Sequence, residues 1–277
     1  MIYITTEPSQ DGYGARFQRM LQLIFLSKHI KDKYNVDIEY VHTPFSYEDS
    51  TYKFVDFDRR LGHYFHTSED YRSRAKIWDD KINYNGIYKN DIEYDTVVKN
   101  VNFDGLFEKI KIKTTNKALL IMQNVYPRIE SIIDIYETYK DDVISCFNMK
   151  NNYNQDKKNV AIHIRRDDAI NFKERWLTDE YYLNLIDMIE QKMEDFNINI
   201  YTQKSNFNFE KYKNRNVTVK YDSTSEDYND FIDLVFSDIF IMGKSSFSYA
   251  AALLNKNVII YPPNFYCKKV NGWLDKI

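Results

Sequence analysis

The sequence predicts an α/β protein in two parts, an opening unit of the kind that builds parallel sheets and a doubly wound second part, and three observations lead there. The chain opens as strand, glycine-containing loop, helix and strand, the unit from which parallel sheets are assembled. From residue 158 onward, short apolar strands alternate with helical patterns, the rhythm of a doubly wound nucleotide-binding domain. Between these halves runs the polar stretch Asn148 to Lys158, which has almost nothing to bury and reads as an interdomain linker. The expected domains are therefore 1–150, with an irregular helical insert, and 151–277.

The elements follow in order. Ile2 to Ile4 is a short apolar strand, the turn-forming PSQDGYG follows, and Phe17, Met20, Leu21 and Ile24 recur at helical spacing. Val36 to Val41 alternates as a strand does. From Thr43 to Asn116 aromatic and charged residues replace any clear period, so helices and long loops are expected. Leu119 to Asn124 is apolar, and Ile129, Ile132, Ile133 and Tyr136 mark a helix running toward Cys146. Past the linker, Val160 to Ile164 is a strand. Thr178 then caps a helix whose first turn holds Asp179 and Glu180 and whose apolar face is Tyr182, Leu185, Ile186, Ile189 and Met193. Strands at Ile198–Thr202, Val217–Tyr221, Ile239–Met242 and Val258–Tyr261 complete the second half, with helices at Asp227–Phe236 and Ser246–Leu254.

Composition narrows the function. With 277 residues, 43% of them hydrophobic, the chain has enough apolar material for a large core, which excludes disorder as its main state. A net charge of -3 gives no basic field to draw in phosphate backbones, so nucleic acid is not an expected partner. Cys146 and Cys267 cannot build a disulfide framework, no apolar run spans a bilayer, and no secretory leader is visible at the start, so a cytoplasmic location is expected.

Three clusters carry chemistry. His163-Ile164-Arg165-Arg166-Asp167-Asp168 stands where a buried strand ends, the edge at which open α/β sheets bind ligands, and two guanidiniums there suit the oxygens of a diphosphate. The competing reading has one arginine pairing with Asp167 or Asp168 to brace a loop. Gly243-Lys244-Ser245-Ser246-Phe247-Ser248 runs from a strand into a helix start, offering hydroxyls, N–H groups and the positive helix end as a second phosphate cradle. Plain N-capping competes, and Walker A is rejected because Asp238 stands where its first glycine belongs. In Asp11-Gly12-Tyr13-Gly14-Ala15-Arg16 the glycines permit close backbone approach, and the Asp11 carboxylate is a candidate general base. Asp56-Phe57-Asp58 and the pair His63 and His66 are weak metal motifs, and no metal is expected.

In order and spacing, IHIRRDD, DGYGARF and DFIDLVFSDIFIMGKSSFS resemble the motifs of the GDP-fucose-dependent fucosyltransferase superfamily, and the α1,6 group most. In that group a strand ending His-x-Arg-Arg-x-Asp precedes a Glu/Tyr-rich helix, matched by Asp179-Glu180-Tyr181-Tyr182, and two Asp eight apart lead into Ser-Ser, matched by Asp230, Asp238, Ser245 and Ser246. The resemblance covers Ile2–Arg16 and Val160–Leu254. It implies the GT-B fold, two Rossmann-like domains facing across a cleft, and inverting, metal-independent transfer of fucose from GDP-fucose to a glycan or glycoconjugate. Arg166 would then hold the β-phosphate, with Arg165 and His163 shaping its loop. Asp230 would read the guanine edge, and Ser245, Ser246 and Phe247 would line the diphosphate and ribose. Gly12, Gly14 and Arg16 belong to the loop in which Asp11 takes the place of a catalytic glutamate found in some protein O-fucosyltransferases, and Glu174 is the competing base. The sequence departs from the α1,6 pattern at Thr202-Gln203-Lys204-Ser205-Asn206, where that group carries Asp-Asp, so another nucleotide sugar is the alternative donor. A nucleotide- or glycan-binding module without transfer is the alternative of a different class.

Overall fold

Apolar segments too short for helices but flanked by polar turns pair into two separate all-parallel sheets. The computed structural model describes residues 1–7, 12–46, 68–110, 116–123, 130–151, 153, 156–166, 173–203, 208–213, 215–222 and 227–276. The chain divides into two compact units, Met1–Phe54 with Ala75–Asn148, and Val55–Arg74 with Met149–Ile277.

The first unit holds a four-stranded sheet in the order β2-β1-β4-β3, formed by β1 (Ile2–Thr6), β2 (Ile38–Tyr40), β3 (Thr96–Val101) and β4 (Ala118–Met122). Central β4 is buried along its whole length, as its ALLIM sequence requires. Helix α1 (Tyr13–Tyr34) connects β1 to β2 and packs on both, and on α4 (Glu130–Ser145). The aromatic residues that blurred the pattern after Thr43 form a box under α1: Tyr13 stacks on Trp78 of α2 (Ser68–Ile82) at 5.4 Å and 16°, and Phe17 touches Trp78, Phe45 and Phe147. One element there departs from expectation. β3 is an edge strand with most of its side chains exposed, so it has no apolar run to announce it. Its register shifts between Val98 and Val101, where Asn100 takes φ 58° in the left-handed region. It leads into α3 (Phe103–Ile110).

The second unit holds a five-stranded sheet in the order β7-β6-β5-β8-β9, every pair parallel. Its strands are β5 (Lys158–Ile164), β6 (Phe196–Gln203), β7 (Val217–Asp222), β8 (Ile239–Ile241) and β9 (Val258–Ile260). Helices α5 (Asp179–Lys192), α6 (Asp227–Phe236) and α7 (Ser246–Leu254) link them. Thr178 caps α5, accepting the Tyr181 N–H, and Leu185, Ile186 and Ile189 pack with Val160, Ile162, Ile198 and Ile200 in one core. The polar stretch before β5 is not wholly idle, since the Tyr153 hydroxyl meets that of Tyr201 at 3.0 Å. Strand order proceeds outward from β5 through β6 to β7, then restarts on the other side with β8 and β9. The reversal places the topological switch point between β5 and β8. Among the described residues, no helix is long and apolar enough to cross a membrane.

Candidate functional site

Because β5 and β8 are adjacent and parallel, their carboxyl ends bring His163–Arg166 and Gly243–Phe247 side by side. The approach is close enough to dictate residue type. A Cβ on Gly243 would lie 2.6 Å from the His163 carbonyl oxygen, so only glycine fits that position without a backbone shift. The Gly243 N–H donates to Ser248 Oγ at 3.3 Å, and Ser248 Oγ lies 2.5 Å from His163 Nδ1, which ties the two strand ends together beneath the edge. The His163 ring packs on Phe247 at 5.4 Å, and Phe247 packs on Phe231 at 5.4 Å. Asp230, beside Phe231, stands half-buried in the first turn of α6.

Ser245 is the N-cap of α7, its hydroxyl accepting the Phe247 N–H at 3.2 Å, so the capping role is real. Ser246 Oγ lies 2.7 Å from the Tyr266 hydroxyl. Lys244 donates from Nζ to the Glu174 main-chain carbonyl at 3.0 Å, and burial lowers its pKa, the Glu174 charge opposing that shift. Glu174 itself sits in a 3-10 turn, Lys173–Arg175, with its side chain exposed.

The two arginines are used differently. Arg166 is 1% exposed, and its Nη2 donates to Asp179 Oδ1 at 2.7 Å, an oxygen that also accepts the Tyr212 hydroxyl at 3.0 Å. Its guanidinium lies over Trp176 and Tyr182, at 5.1 and 5.9 Å from the ring centroids. In this arrangement Arg166 braces the loop after β5 against the start of α5 through Asp179. Asp167 and Asp168 lie outside the described residues. Arg165 is the half-buried member of the pair.

Asp238 stands at the start of β8, the end away from Ser245. It accepts from the Asn159 N–H at 2.8 Å and Lys158 Nζ at 3.0 Å. Burial raises its pKa, but these bonds outweigh burial and hold it below the ordinary value. It therefore aligns β5 with β8, whereas Asp230 is at the edge that carries the serines.

The remaining predicted residues belong to the first unit. Gly12 heads α1, its carbonyl accepting from Ala15 and Arg16, and a Cβ there would meet nothing within 4 Å. Gly14 is buried in the first turn, and the Arg16 guanidinium lies 4.8 Å from the Phe45 ring centroid. Arg16 borders a small depression with Thr6, Glu7, Arg19 and His42. Asp11, Asp56, Asp58, His63, His66 and residues 204–207 lie outside the described residues.

Sequence reasoning passed over His42 and Asp79. His42 is 1% exposed, with Nδ1 3.1 Å from the Tyr40 hydroxyl and Nε2 3.7 Å from Asp79 Oδ1. Asp79 in turn accepts the N–H groups of Phe45 and Ser46 and the Ser46 hydroxyl. No spacing rule links residues on a strand end and a later helix. Among the described residues, no group of three or more His, Cys, Asp or Glu is arranged to hold a metal ion. No family profile, curated protein or solved structure matches the chain.

Proposed function

We propose that the chain is an inverting, metal-independent glycosyltransferase of GT-B architecture that transfers fucose from GDP-fucose to a glycan or glycoconjugate acceptor. One observation carries the reading: the switch point between β5 and β8 gathers His163, Arg165, the Gly243–Phe247 turn and, through Phe231 and Phe247, the start of α6 with Asp230. Departure of a nucleoside diphosphate needs positive charge at the leaving oxygens, and Arg165, on the strand end next to the one that leads into α7, is suited to supply it together with the α7 amino end. Arg166, locked to Asp179, serves as a positioning residue for the loop that carries Arg165. Deprotonation of the acceptor hydroxyl falls to Asp11 or Glu174, and the exposed Glu174 carboxylate is mounted on a turn joined to Lys244.

A different nucleotide sugar is a second reading, favoured by Thr202-Gln203 at the end of β6 in place of an acidic pair. Release of GDP from GDP-fucose, measured with EDTA present and with UDP- and dTDP-sugars in parallel, tests both. GDP release that survives EDTA is expected. Turnover of a UDP- or dTDP-sugar instead moves the donor, and binding without any turnover reduces the chain to a binding module.

A further inference from the structure

We infer that Lys244 is the cation that receives a diphosphate at the β5/β8 edge, and that the Glu174 carbonyl holds its ammonium in readiness until a phosphate oxygen takes over. The inference rests on the nucleotide-sugar reading of the same edge, and adds a residue to which the resemblance gives no role. Lys244 stands between Gly243, whose missing Cβ lets the chain press against His163, and Ser245, the cap of α7. An anion placed there meets the amino end of a nine-residue helix and the ammonium together.

The counter-charge that Lys244 feels, from the exposed Glu174 carboxylate, acts from beyond 4.0 Å. Lys244 is 7% exposed and donates to one neutral acceptor, the Glu174 carbonyl at 3.0 Å; among the described residues it makes no ion pair within 4.0 Å. An ammonium has three donors, and burying one against a single carbonyl is unfavourable unless something negative arrives. Arg166 makes the contrast: it is more deeply buried, and it already carries a carboxylate at 2.7 Å, so its charge is balanced inside the protein. A ligand phosphate would give Lys244 the counter-charge that Asp179 gives Arg166.

The turn holding Glu174 is pinned to the same edge at a second point. Arg175 lies over the Tyr266 ring, 5.8 Å from its centroid, and the Tyr266 hydroxyl lies 2.7 Å from Ser246 Oγ. A phosphate that claims Lys244 would thus release one tether of the turn while leaving the other, so the Glu174 backbone is expected to respond to occupancy.

Calorimetric titration of the full chain with GDP, pyrophosphate and guanosine tests this in the wild type, Lys244→Met and Lys244→Arg. Loss of a charge-assisted contact predicts that Lys244→Met binds GDP and pyrophosphate about tenfold or more weakly, with guanosine unchanged. Lys244→Arg, which keeps the charge, should retain most of the affinity and carries the comparison if the methionine variant does not fold. Unaltered GDP and pyrophosphate affinity in Lys244→Met, or equal losses for all three ligands, would overturn the assignment. If the wild type binds pyrophosphate through Lys244 but no nucleoside diphosphate, the inference stands and the nucleotide-sugar reading falls. Binding of neither ligand by the wild type removes both.

Discussion

Both parallel sheets place a buried histidine near the carboxyl end of a strand, and the two surroundings differ in where their polar groups find partners. In the first unit His42 lies among Phe45, Tyr84 and Tyr88, close to Tyr40 and Asp79, and Asp79 closes the turn at Phe45–Ser46. Thr5 and Thr43 pair their hydroxyls at 2.7 Å beside it. In the second unit His163 backs onto Ser248 and Gly243, and the groups above it are a half-buried arginine, a lysine held by one carbonyl and the amino end of a helix. The first edge ties His42, Asp79 and the two threonines to one another, while the second gathers an arginine, a lysine and a helix amino end at a switch point.

The largest effect expected from this contrast is at Asp179. Asp179→Ala deprives a 1%-exposed guanidinium of its carboxylate, and removing one member of a buried pair costs about 3–5 kcal/mol. Asp79→Ala in the first unit faces a neutralisable histidine and two N–H groups, so it should cost less, about 1–3 kcal/mol. Denaturant unfolding of both variants checks the order, and a smaller loss for Asp179→Ala would mean that Arg166 is not held chiefly by this pair.

Two glycines sharpen the comparison next. Gly243→Ala must push its Cβ against the His163 backbone and should lose about 1–3 kcal/mol together with ligand binding. Gly12→Ala meets open space at φ -58° and should stay within about 0.5 kcal/mol of wild type. Equal thermal shifts for the two would refute the close approach of β5 and β8.

A smaller effect is expected from pH. Burial holds the His42 imidazole below its ordinary value, with Asp79 pulling the other way, so the unfolded chain takes up that proton more readily than the folded one. Its contribution to stability is full above the unfolded value of about 6.5 and fades as pH falls toward the folded value. Burial raises the Asp79 pKa, but the nearby His42 ring and the bonds from Ser46 and Phe45 prevail and lower it; its contribution is present above about 3.9 and is lost at still lower pH. Stability followed from pH 7 to 5 should therefore fall more gently in His42→Gln than in wild type, and parallel curves would contradict the assignment.

Much of the second unit was legible because its signals are local. The strands from β5 to β9 are apolar runs between polar turns, and Thr178 and Ser245 are caps recognisable one residue before their helices. β3 escaped because an exposed edge strand has no hydrophobic period to read. The site was legible as a place and not as a set of contacts. His163–Arg166 and Gly243–Phe247 announced themselves, yet the partner of Arg166 lies thirteen residues away in the first turn of α5, and that of Lys244 is a main-chain oxygen seventy residues earlier. Asp238 belonged to the same motif as Asp230 and the serines, but sequence distance carries no record of which end of a strand a residue occupies; in the fold it pins the opposite end of the sheet.

On the proposed reading the β5/β8 edge, and not the edge at His42, receives the nucleoside diphosphate. Amide hydrogen exchange with and without saturating GDP tests it directly, since a phosphate seated on the α7 amino end slows exchange of the N–H groups it engages. Protection confined to residues 163–166 and 243–247, with 40–46 unchanged, is the predicted result. Protection at 40–46 with none at 243–247 would contradict it.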